Sequence, residues 1–302
     1  FTGTGALTGI YNVNQRLALL NYLGYKTTFP TTQIALTASN ITTLAVNPAS
    51  PYRYLGGVVH STPLMVTKES TVSALNTVGT RKEYTVYGSM DGGLHIVDAS
   101  TGKEQSVFVP KEILDNQYDT LASSTSKGVS GLTGLAYGVD APWVADNTFK
   151  VQTTTSNGAA ATKYIANKMN IYGGLRMGGE SYYGLNVLDP TAPKFLFRVS
   201  SDQPNFNRMG QSWSKPVIAN IRYNNAIKRV MIVGGGYDQC YEDPTFRLAP
   251  VAEDNDGSTC AKSSSAKGNA VYIIDATTGE RLWWASSSVS GVGTANTDMK
   301  HS

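Results

Sequence analysis

The sequence predicts an all-β fold, a β-propeller whose blades each contain four antiparallel strands. The main observation is a phrase that recurs at residues 94–104, 183–191 and 271–281, where a strand-like run ends in Asp and a turn follows. The three Asp residues lie about 90 positions apart, which indicates one supersecondary unit repeated along the chain. The second observation is that only 16% of the residues are charged, against about 25% in an average soluble domain.

Apolar runs around each phrase complete the repeated unit. A Pro-containing run comes first, a second run directly precedes the phrase, and a third follows its turn. Pro fits the start of a strand, where its missing N–H costs least. The turn Asp-Ala-x-Thr-Gly suits a tight reversal, because Asp accepts hydrogen bonds from the following backbone and Gly adopts positive φ. Four strands per repeat predict a propeller blade.

The repeat gives blades at about residues 58–110, 137–200 and 212–287, within a propeller fragment that spans residues 55–302. Ordinary blades have about 40–50 residues, so these blades should carry long insertions. Irregular, polar insertions are expected at residues 123–130, 153–162 and 237–268. The pattern would require another blade beyond Trp283 and Trp284, so we expect the propeller to be incomplete in this chain. The absence of an initiator Met and of a signal peptide indicates an excised piece.

Residues 1–54 differ from the repeats and predict a helix followed by an irregular arm. Apolar residues at helical spacing mark the helix, and Gly24 is a plausible end for it. These residues are Ile10, Val13, Leu17, Leu20 and Leu23. Thr and Asn dominate from there to about Asn47, with little periodicity.

Charge and hydropathy exclude two classes of protein. The 25 basic and 22 acidic residues are interspersed and give a net charge of +3, too weak to indicate a nucleic-acid-binding protein. No stretch approaches the ~18 consecutive apolar residues of a membrane-spanning helix, so we expect no transmembrane segment.

Both cysteines, Cys240 and Cys260, lie in the insertion at residues 237–268. A metal site and a redox pair are the functional alternatives. Without a nearby His the two cysteines cannot complete a zinc site, and their spacing is not C-x-x-C. The spacing favours a structural disulfide that closes the base of a long loop in an exported chain.

The same insertion contains Asp254 and Asp256 in a stretch that resembles the middle of a calcium-binding loop. With Gly257 at the sixth position, the first and twelfth positions are Ala252 and Ser263, so both terminal ligands are missing. The sequence therefore favours an Asx-rich solvated turn over a metal site.

No catalytic constellation is evident, and we expect a protein that is not an enzyme and has no cofactor within this chain. The sequence has three histidines, and no Gly-x-Ser-x-Gly elbow supports a nucleophilic serine. His95 lies in a blade strand, where a partly buried structural His is the more common interpretation than a general base. Trp283 and Trp284 point to opposite faces of one strand, which predicts one ring between blades and one half-exposed ring.

The blade phrases resemble the repeats of quinoprotein-like propellers in general, and further segments are more specific. The segments at residues 55–63, 87–95, 173–179, 210–216 and 234–238 are similar to the C-terminal propeller of the PilY/PilC proteins of type IV pili. The match runs in the right order from about Leu55 to Trp284, whereas the first fifty residues match only loosely.

The resemblance implies a non-enzymatic protein at the bacterial surface, associated with the pilus tip (fimbrium). Its implied partners are minor pilins and a host cell surface receptor, and its implied roles are pilus assembly, adhesion and twitching motility. The family often has an Asp-rich calcium loop in this propeller. In the family pattern this loop follows a segment like residues 295–302, so it is expected after Ser302.

Two other functions remain as alternatives. A quinone-dependent dehydrogenase would need a planar cofactor pocket, calcium ligands and an Asp base, and the sequence shows no adjacent Cys pair to support the quinone. A general envelope assembly scaffold is the third interpretation. If the protein recognises a partner, the insertion at residues 237–268 is the best candidate surface, because Tyr241, Phe246 and Arg247 are residue types typical of binding hot spots.

Overall fold

The computed structural model describes residues 11–23, 26–27, 41–42, 55–73, 78–121, 137–156, 158–238, 267–286 and 297–298. Two α-helices are present, α1 (Val13–Tyr22) and α2 (Lys111–Asn116), with short 3-10 helices at Tyr118–Leu121 and Pro204–Phe206. Two short strands, β1 (Lys26–Thr27) and β2 (Ile41–Thr42), pair with each other. The main strands are β3 (Leu64–Ser73), β4 (Val78–Gly88), β5 (Leu94–Asp98), β6 (Glu104–Phe108), β7 (Trp143–Ser156), β8 (Ala159–Gly173), β9 (Ser181–Asn186), β10 (Lys194–Ser200), β11 (Val217–Tyr223), β12 (Ala226–Gly235), β13 (Gly268–Asp275), β14 (Arg281–Ser286) and β15 (Thr297–Asp298).

The strands form three successive antiparallel units of four, which we call blade 1 (β3–β6), blade 2 (β7–β10) and blade 3 (β11–β14). Each strand in a blade pairs with the next along the chain, and the short β15 adds to β14 in parallel. The all-β prediction with four antiparallel strands per blade is confirmed. Three blades do not close a ring, which agrees with the expected incomplete propeller.

The repeated phrase forms the same turn in each blade. The carboxylate of Asp98 accepts hydrogen bonds from the backbone N–H groups of Ser100 and Thr101, both at 3.0 Å. Asp275 accepts from the N–H groups two and three residues ahead in the same way, and Asp189 from the one two residues ahead. Hydrogen bonds from the Ser100 and Thr191 hydroxyls, together with those from the backbone, lower the pKa of Asp98 and Asp189. Burial raises the pKa of Asp275, but its backbone hydrogen bonds and Lys228 outweigh burial and lower it. The turn joins the third and fourth strands, so the phrase marks one fixed point in every blade.

Blade 2 lies between the other two blades and is apolar on both faces. Met169 and Ile171 of β8 enter a core shared with blade 1, while Tyr172 enters a second core shared with blade 3. Successive strand residues point to opposite faces, so neighbours in sequence belong to different cores. Blade 2 therefore buries side chains on both of its faces where it lies between its neighbours.

A buried ion cluster joins blades 2 and 3 beside their shared core. The Asp146 carboxylate on β7 lies 2.6 Å from the Arg229 guanidinium of β12 and 2.7 Å from the Lys168 ammonium of β8. Burial opposes ionisation of Asp146, but these two cations outweigh it and lower the pKa of the carboxyl group.

The helix of the N-terminal arm lies against the segment that follows blade 1. Asn12 caps α1 and forms a capping box with Gln15, whose side chain also donates to the Leu114 carbonyl at 2.8 Å. Ala18 packs with Ile113, and Val13, Leu17 and Leu20 are buried as their spacing suggests. Leu23 is instead more than half exposed, because it caps the C-terminus of the helix. Ile10 and Gly24 lie outside the described residues.

The expectation of an irregular insertion at residues 153–162 is wrong. Residues 153–156 and 159–162 form the end of a long hairpin between β7 and β8, and β8 also pairs there with β3 of blade 1. Their Thr-rich sequence looked loop-like, but β-branched Thr fits the pleated surface of a strand well. The expected insertion at 123–130 lies outside the described residues.

Candidate interaction face

The motif segments on which the family resemblance rests lie at one end of the blades. They lead into the first strand of a blade or connect its second and third strands, and antiparallel strands place both kinds of connection at the same end. We call this surface the motif face and define it as residues 56–63, 88–93, 137–141, 173–179, 210–214 and 234–238.

Backbone hydrogen bonds between neighbouring blades hold the motif face together. The Val139 N–H of blade 2 donates to the Ser89 carbonyl of blade 1 at 3.0 Å. The Arg176 N–H donates to the Ser212 carbonyl at 3.3 Å, and the Ser212 N–H donates back to the Gly179 carbonyl at 3.0 Å. These irregular loops therefore satisfy their backbone groups through the adjacent blade, as buried polar groups require.

Close approach of these loops explains why the motifs contain so many glycines. A Cβ atom at Gly178 would lie 1.7 Å from the Gly138 carbonyl oxygen, and one at Gly88 would lie 2.1 Å from the Val139 carbonyl oxygen. No side chain fits at either position unless the neighbouring blade moves. Much of the motif sequence thus serves packing between blades.

A cluster of five side chains from all three blades meets on this face, and we call it the aromatic–basic cluster. Its members are His60, Asp140, Arg176, Trp213 and Tyr237. The buried Asp140 carboxylate lies 2.7 Å from Nδ1 of His60 and 3.0 Å from the Arg176 guanidinium. Arg176 stacks on Trp213 with its Cζ 3.9 Å from the ring centroid, and Tyr237 lies against the same indole with 5.4 Å between centroids.

The buried carboxylate at the base orients the cluster. Asp140 also accepts a hydrogen bond from the His60 backbone N–H at 3.1 Å, so it fixes both the loop and the side chains. Arg176 has a φ of 55°, which an Arg rarely adopts and which places its guanidinium between His60 and Trp213. His60 and Trp213 remain accessible, with 47% of the His60 side chain and 37% of Trp213 exposed. The cluster is a rigid, partly exposed group with the chemistry of a recognition site.

The residues chosen as site candidates from the sequence lie outside the described residues. They are Cys240, Cys260, Tyr241, Phe246, Arg247, Asp254 and Asp256. The disulfide, the lack of a calcium site and the binding role of this insertion therefore stay predictions. The flanking residues are described, and the Lys267 N–H donates to the Asp238 carboxylate at 2.9 Å. The insertion at residues 239–266 thus begins and ends at one place, next to Tyr237.

A second polar cluster, around His95, contains the residue types of a catalytic triad. Nε2 of His95 lies 2.8 Å from the Ser89 hydroxyl, and Nδ1 lies 2.7 Å from the Glu104 carboxylate. The Ser89 hydroxyl donates to Asp91, and the Tyr22 hydroxyl of α1 lies 3.4 Å from Nε2. This cluster therefore links the arm helix to blade 1.

The charge of His95 argues against nucleophilic chemistry at Ser89. Burial by itself lowers the pKa of His95, but the hydrogen bonds and charges of Asp91 and Glu104 outweigh it and raise the pKa to about 9. At neutral pH the imidazole is thus protonated, and its Nε2–H donates to Ser89. A general base must instead accept the serine proton. Ser89 is also only 1% exposed, so this cluster has a structural role.

The described part of the chain contains neither a cluster of metal-ligand side chains nor a membrane-spanning helix. Within these residues, no group of three His, Cys, Asp or Glu side chains is arranged to hold a metal ion. None of the described helices has both the length and the apolar character needed to cross a bilayer.

Sequence reasoning missed the aromatic–basic cluster because its members are far apart in the chain. His60, Trp213 and Tyr237 each lie in a motif that carries the family resemblance, but no spacing rule links residues so distant in sequence. The available signal was the position of these residues in the repeat, since His60 and Trp213 lie shortly before the first strand of a blade and Tyr237 follows a glycine run.

Comparison with known proteins gives two matches to one pilus protein. No protein family model matches the chain. The type IV pilus biogenesis factor PilY1 of Pseudomonas aeruginosa (strain UCBPP-PA14) is 26% identical over 198 residues, which cover 61% of this chain. The match spans 15% of the length of that relative. The crystal structure of the Pseudomonas aeruginosa PilY1 C-terminal domain matches 70% of this chain and 31% of its own, with 22% identity and a TM-score of 0.39. The chain is therefore similar to PilY1, and the resemblance to PilY/PilC proteins drawn from its motifs is confirmed.

Proposed function

We propose that this chain belongs to a surface protein associated with type IV pili and that its motif face binds a protein partner during pilus assembly. The observation that carries the proposal is the convergence of the PilY-like motifs on one face, with the aromatic–basic cluster exposed at its centre. The similarity to PilY1 supports the pilus association.

The chemistry of the cluster suits protein recognition. Trp, Tyr and Arg are the residue types most enriched among interface hot spots. Here they are pre-ordered by Asp140 and by stacking, so a partner would lose little entropy in ordering them. Asp238 and Lys267, which flank the insertion at residues 239–266, are hydrogen-bonded neighbours next to Tyr237, and Tyr241, Phe246 and Arg247 belong to that insertion.

The partners that best fit this role are minor pilins at the pilus tip and a receptor on the host cell surface. The protein would then act outside the cell, on the pilus or the bacterial surface, and would support adhesion and twitching motility. It would not catalyse a reaction at the His95 cluster, because the protonated imidazole donates to Ser89, whereas a general base would accept the serine proton.

The test is a pull-down of minor pilins by the full-length protein with Trp213→Ala or Tyr237→Ala. We expect each change to weaken binding at least tenfold, since truncating a hot-spot aromatic costs about 2 kcal/mol or more. Phe195→Ala is the matched control, because Phe195 is an exposed aromatic on β10, outside the motif face. Equal binding by all three variants would contradict the role of the cluster.

A deletion tests the contribution of the insertion separately from that of the aromatic–basic cluster. Because Asp238 and Lys267 are hydrogen-bonded neighbours, residues 239–266 can be replaced by a short Gly linker without displacing β12 or β13. Cells with this deletion should show reduced piliation or adhesion at normal protein levels. Normal piliation and adhesion would show that the insertion does not contribute.

A further inference from the structure

A second surface lies at the other end of the blades, where the β3–β4 and β7–β8 hairpins meet. The order β4–β3–β8–β7 forms a four-stranded sheet there. Ser70 lies opposite both Arg81 and Tyr164, and Tyr164 lies opposite Val151. Directly opposite residues share a face of the sheet, so these four form one row across all four strands.

A groove of about 400 Å³ follows this row. It is lined by Thr67, Ser70, Arg81, Glu83, Phe149 and Tyr164. One wall is aromatic, with Phe149 and Tyr164 each more than one third exposed, and the other wall is polar. Val151, which is 62% exposed, extends the apolar wall along β7. Most ligand sites combine aromatic surface with a few fixed polar groups in this way.

The side chains of the polar wall contact one another, and its positive and negative charges are paired. The Thr67 hydroxyl donates to the Glu83 carboxylate at 3.2 Å, and the Arg81 guanidinium lies 3.6 Å from the same oxygen. Within the described residues, the hydroxyls of Ser70 and Tyr164 make no hydrogen bond and remain available to a ligand. Because the paired charges of Arg81 and Glu83 largely offset each other, the wall gives neither an anion nor a cation a net attraction and suits a neutral molecule with many hydroxyl groups.

We propose that this groove binds a neutral hexopyranose unit of a glycan. One face of a pyranose ring presents C–H bonds, whose slight positive charge matches the negative face of an aromatic ring. Its hydroxyls both donate and accept, so one sugar can donate to Glu83 and accept from Arg81 through strong, charge-assisted hydrogen bonds. The groove volume accommodates one such unit. This proposal does not depend on the pilus association.

The test uses saturation-transfer NMR on the full chain with the methyl glycosides of glucose, galactose and mannose as probes. We expect transfer to the ring C–H protons of at least one glycoside, with a dissociation constant on the order of 1 mM for so small a ligand. Tyr164→Ala and Phe149→Ala should each reduce the signal at least fivefold, and Glu83→Gln should reduce it to a smaller extent.

Phe195→Ala is the control, because it removes an exposed aromatic side chain that does not line the groove and should leave the signal unchanged. Far-UV circular dichroism confirms that each variant keeps its strands. No transfer from the wild-type chain to any of the three glycosides would overturn the proposal. Equal transfer from Tyr164→Ala, or self-association of the chain that Phe149→Ala abolishes, would also overturn it, the latter in favour of a second copy on this face.

Discussion

The two ends of the blades satisfy their backbone hydrogen bonds in different ways, and strand β4 reaches both ends. At the motif face, irregular loops pack so closely that Gly88 leaves no room for a Cβ atom. At the hairpin end, regular strands carry the backbone hydrogen bonds, and a Cβ atom at Gly79 would lie 3.4 Å from the nearest atom, at ordinary contact distance. Gly88 is thus required for close packing between blades, whereas Gly79 in the same strand is not.

This difference explains which residues the family resemblance retains. At the motif face, the loops of one blade satisfy the backbone of the next, so a change in one loop disturbs two blades. At the hairpin end, each strand satisfies its neighbour through the ladder, whatever its side chains are. At the hairpin end, packing therefore leaves the exposed side chains available for binding, whereas at the motif face packing between blades restricts the side chains.

The largest effect is expected from Gly88→Ala, measured against Gly79→Ala in the same strand. The methyl group added at Gly88 would overlap the Val139 carbonyl and force blades 1 and 2 apart, which should lower the free energy of unfolding by about 3 kcal/mol or more. Gly79→Ala should change it by less than about 1 kcal/mol. Urea unfolding of both variants is the measurement, and similar midpoints would contradict the contrast between the two ends.

The next prediction concerns the disulfide within the insertion at residues 239–266. A Cys240–Cys260 bond would close a loop of about 20 residues and stabilise the chain by about 3 kcal/mol in the chain-entropy model. Non-reducing mass spectrometry of exported protein should show the bond, and reduction should lower the melting temperature. Two free thiols in exported protein would refute the prediction.

His95 predicts a pH dependence of the stability of the folded chain. Its pKa is about 9 in the folded chain and about 6.5 when unfolded, so the folded state binds the proton more tightly. The resulting stabilisation is fully present below about pH 6.5 and is lost as the pH rises through 9. We expect its size to be on the order of 2–3 kcal/mol.

The measurement compares urea unfolding of the wild type and His95→Gln at pH 6 and pH 9.5. The wild type should be clearly more stable than the variant at pH 6, and the difference should shrink at pH 9.5. His60→Gln is the control, because that imidazole is half exposed on the same face. A stability difference between wild type and His95→Gln that does not change with pH would rule out a charged His95.

The smallest expected effect concerns calcium. Because the loop around Asp254 and Asp256 lacks both terminal ligands, we expect no micromolar calcium site within residues 1–302. Calorimetric titration with calcium chloride should show no such binding, and the melting temperature should not change. Micromolar binding that Asp254→Ala abolishes would reverse this expectation.

The sequence predicted the blades well because their signals are local. The Asp turns at Asp98 and Asp275 depend on contacts within three residues, and such contacts can be inferred from residue types alone. Trp283 and Trp284 also follow the expected alternation, since Trp284 is buried in the core between blades 2 and 3 and Trp283 is half-buried.

The candidate site and the hairpin end were missed for the opposite reason. The aromatic–basic cluster requires three blades to be brought together, and no local pattern reports that event. The Thr-rich composition of residues 153–162 predicts an irregular insertion, whereas the high β-propensity of Thr favours the hairpin strands that form there. The pairing of this hairpin with β3 of another blade is a non-local contact that periodicity does not show.

The position of β8 between two apolar cores has a consequence for folding accuracy. A slip of one residue reverses the faces of a strand, and a polar face normally penalises such an error. At the buried end of β8, Met169, Ile171 and Tyr172 are apolar on both faces and would tolerate the slip. The exceptions are Asn170, which donates to the Tyr172 hydroxyl and accepts from Asn186, and Lys168, which pairs with Asp146. A few polar side chains thus fix the register of β8, which its apolar side chains alone would not determine.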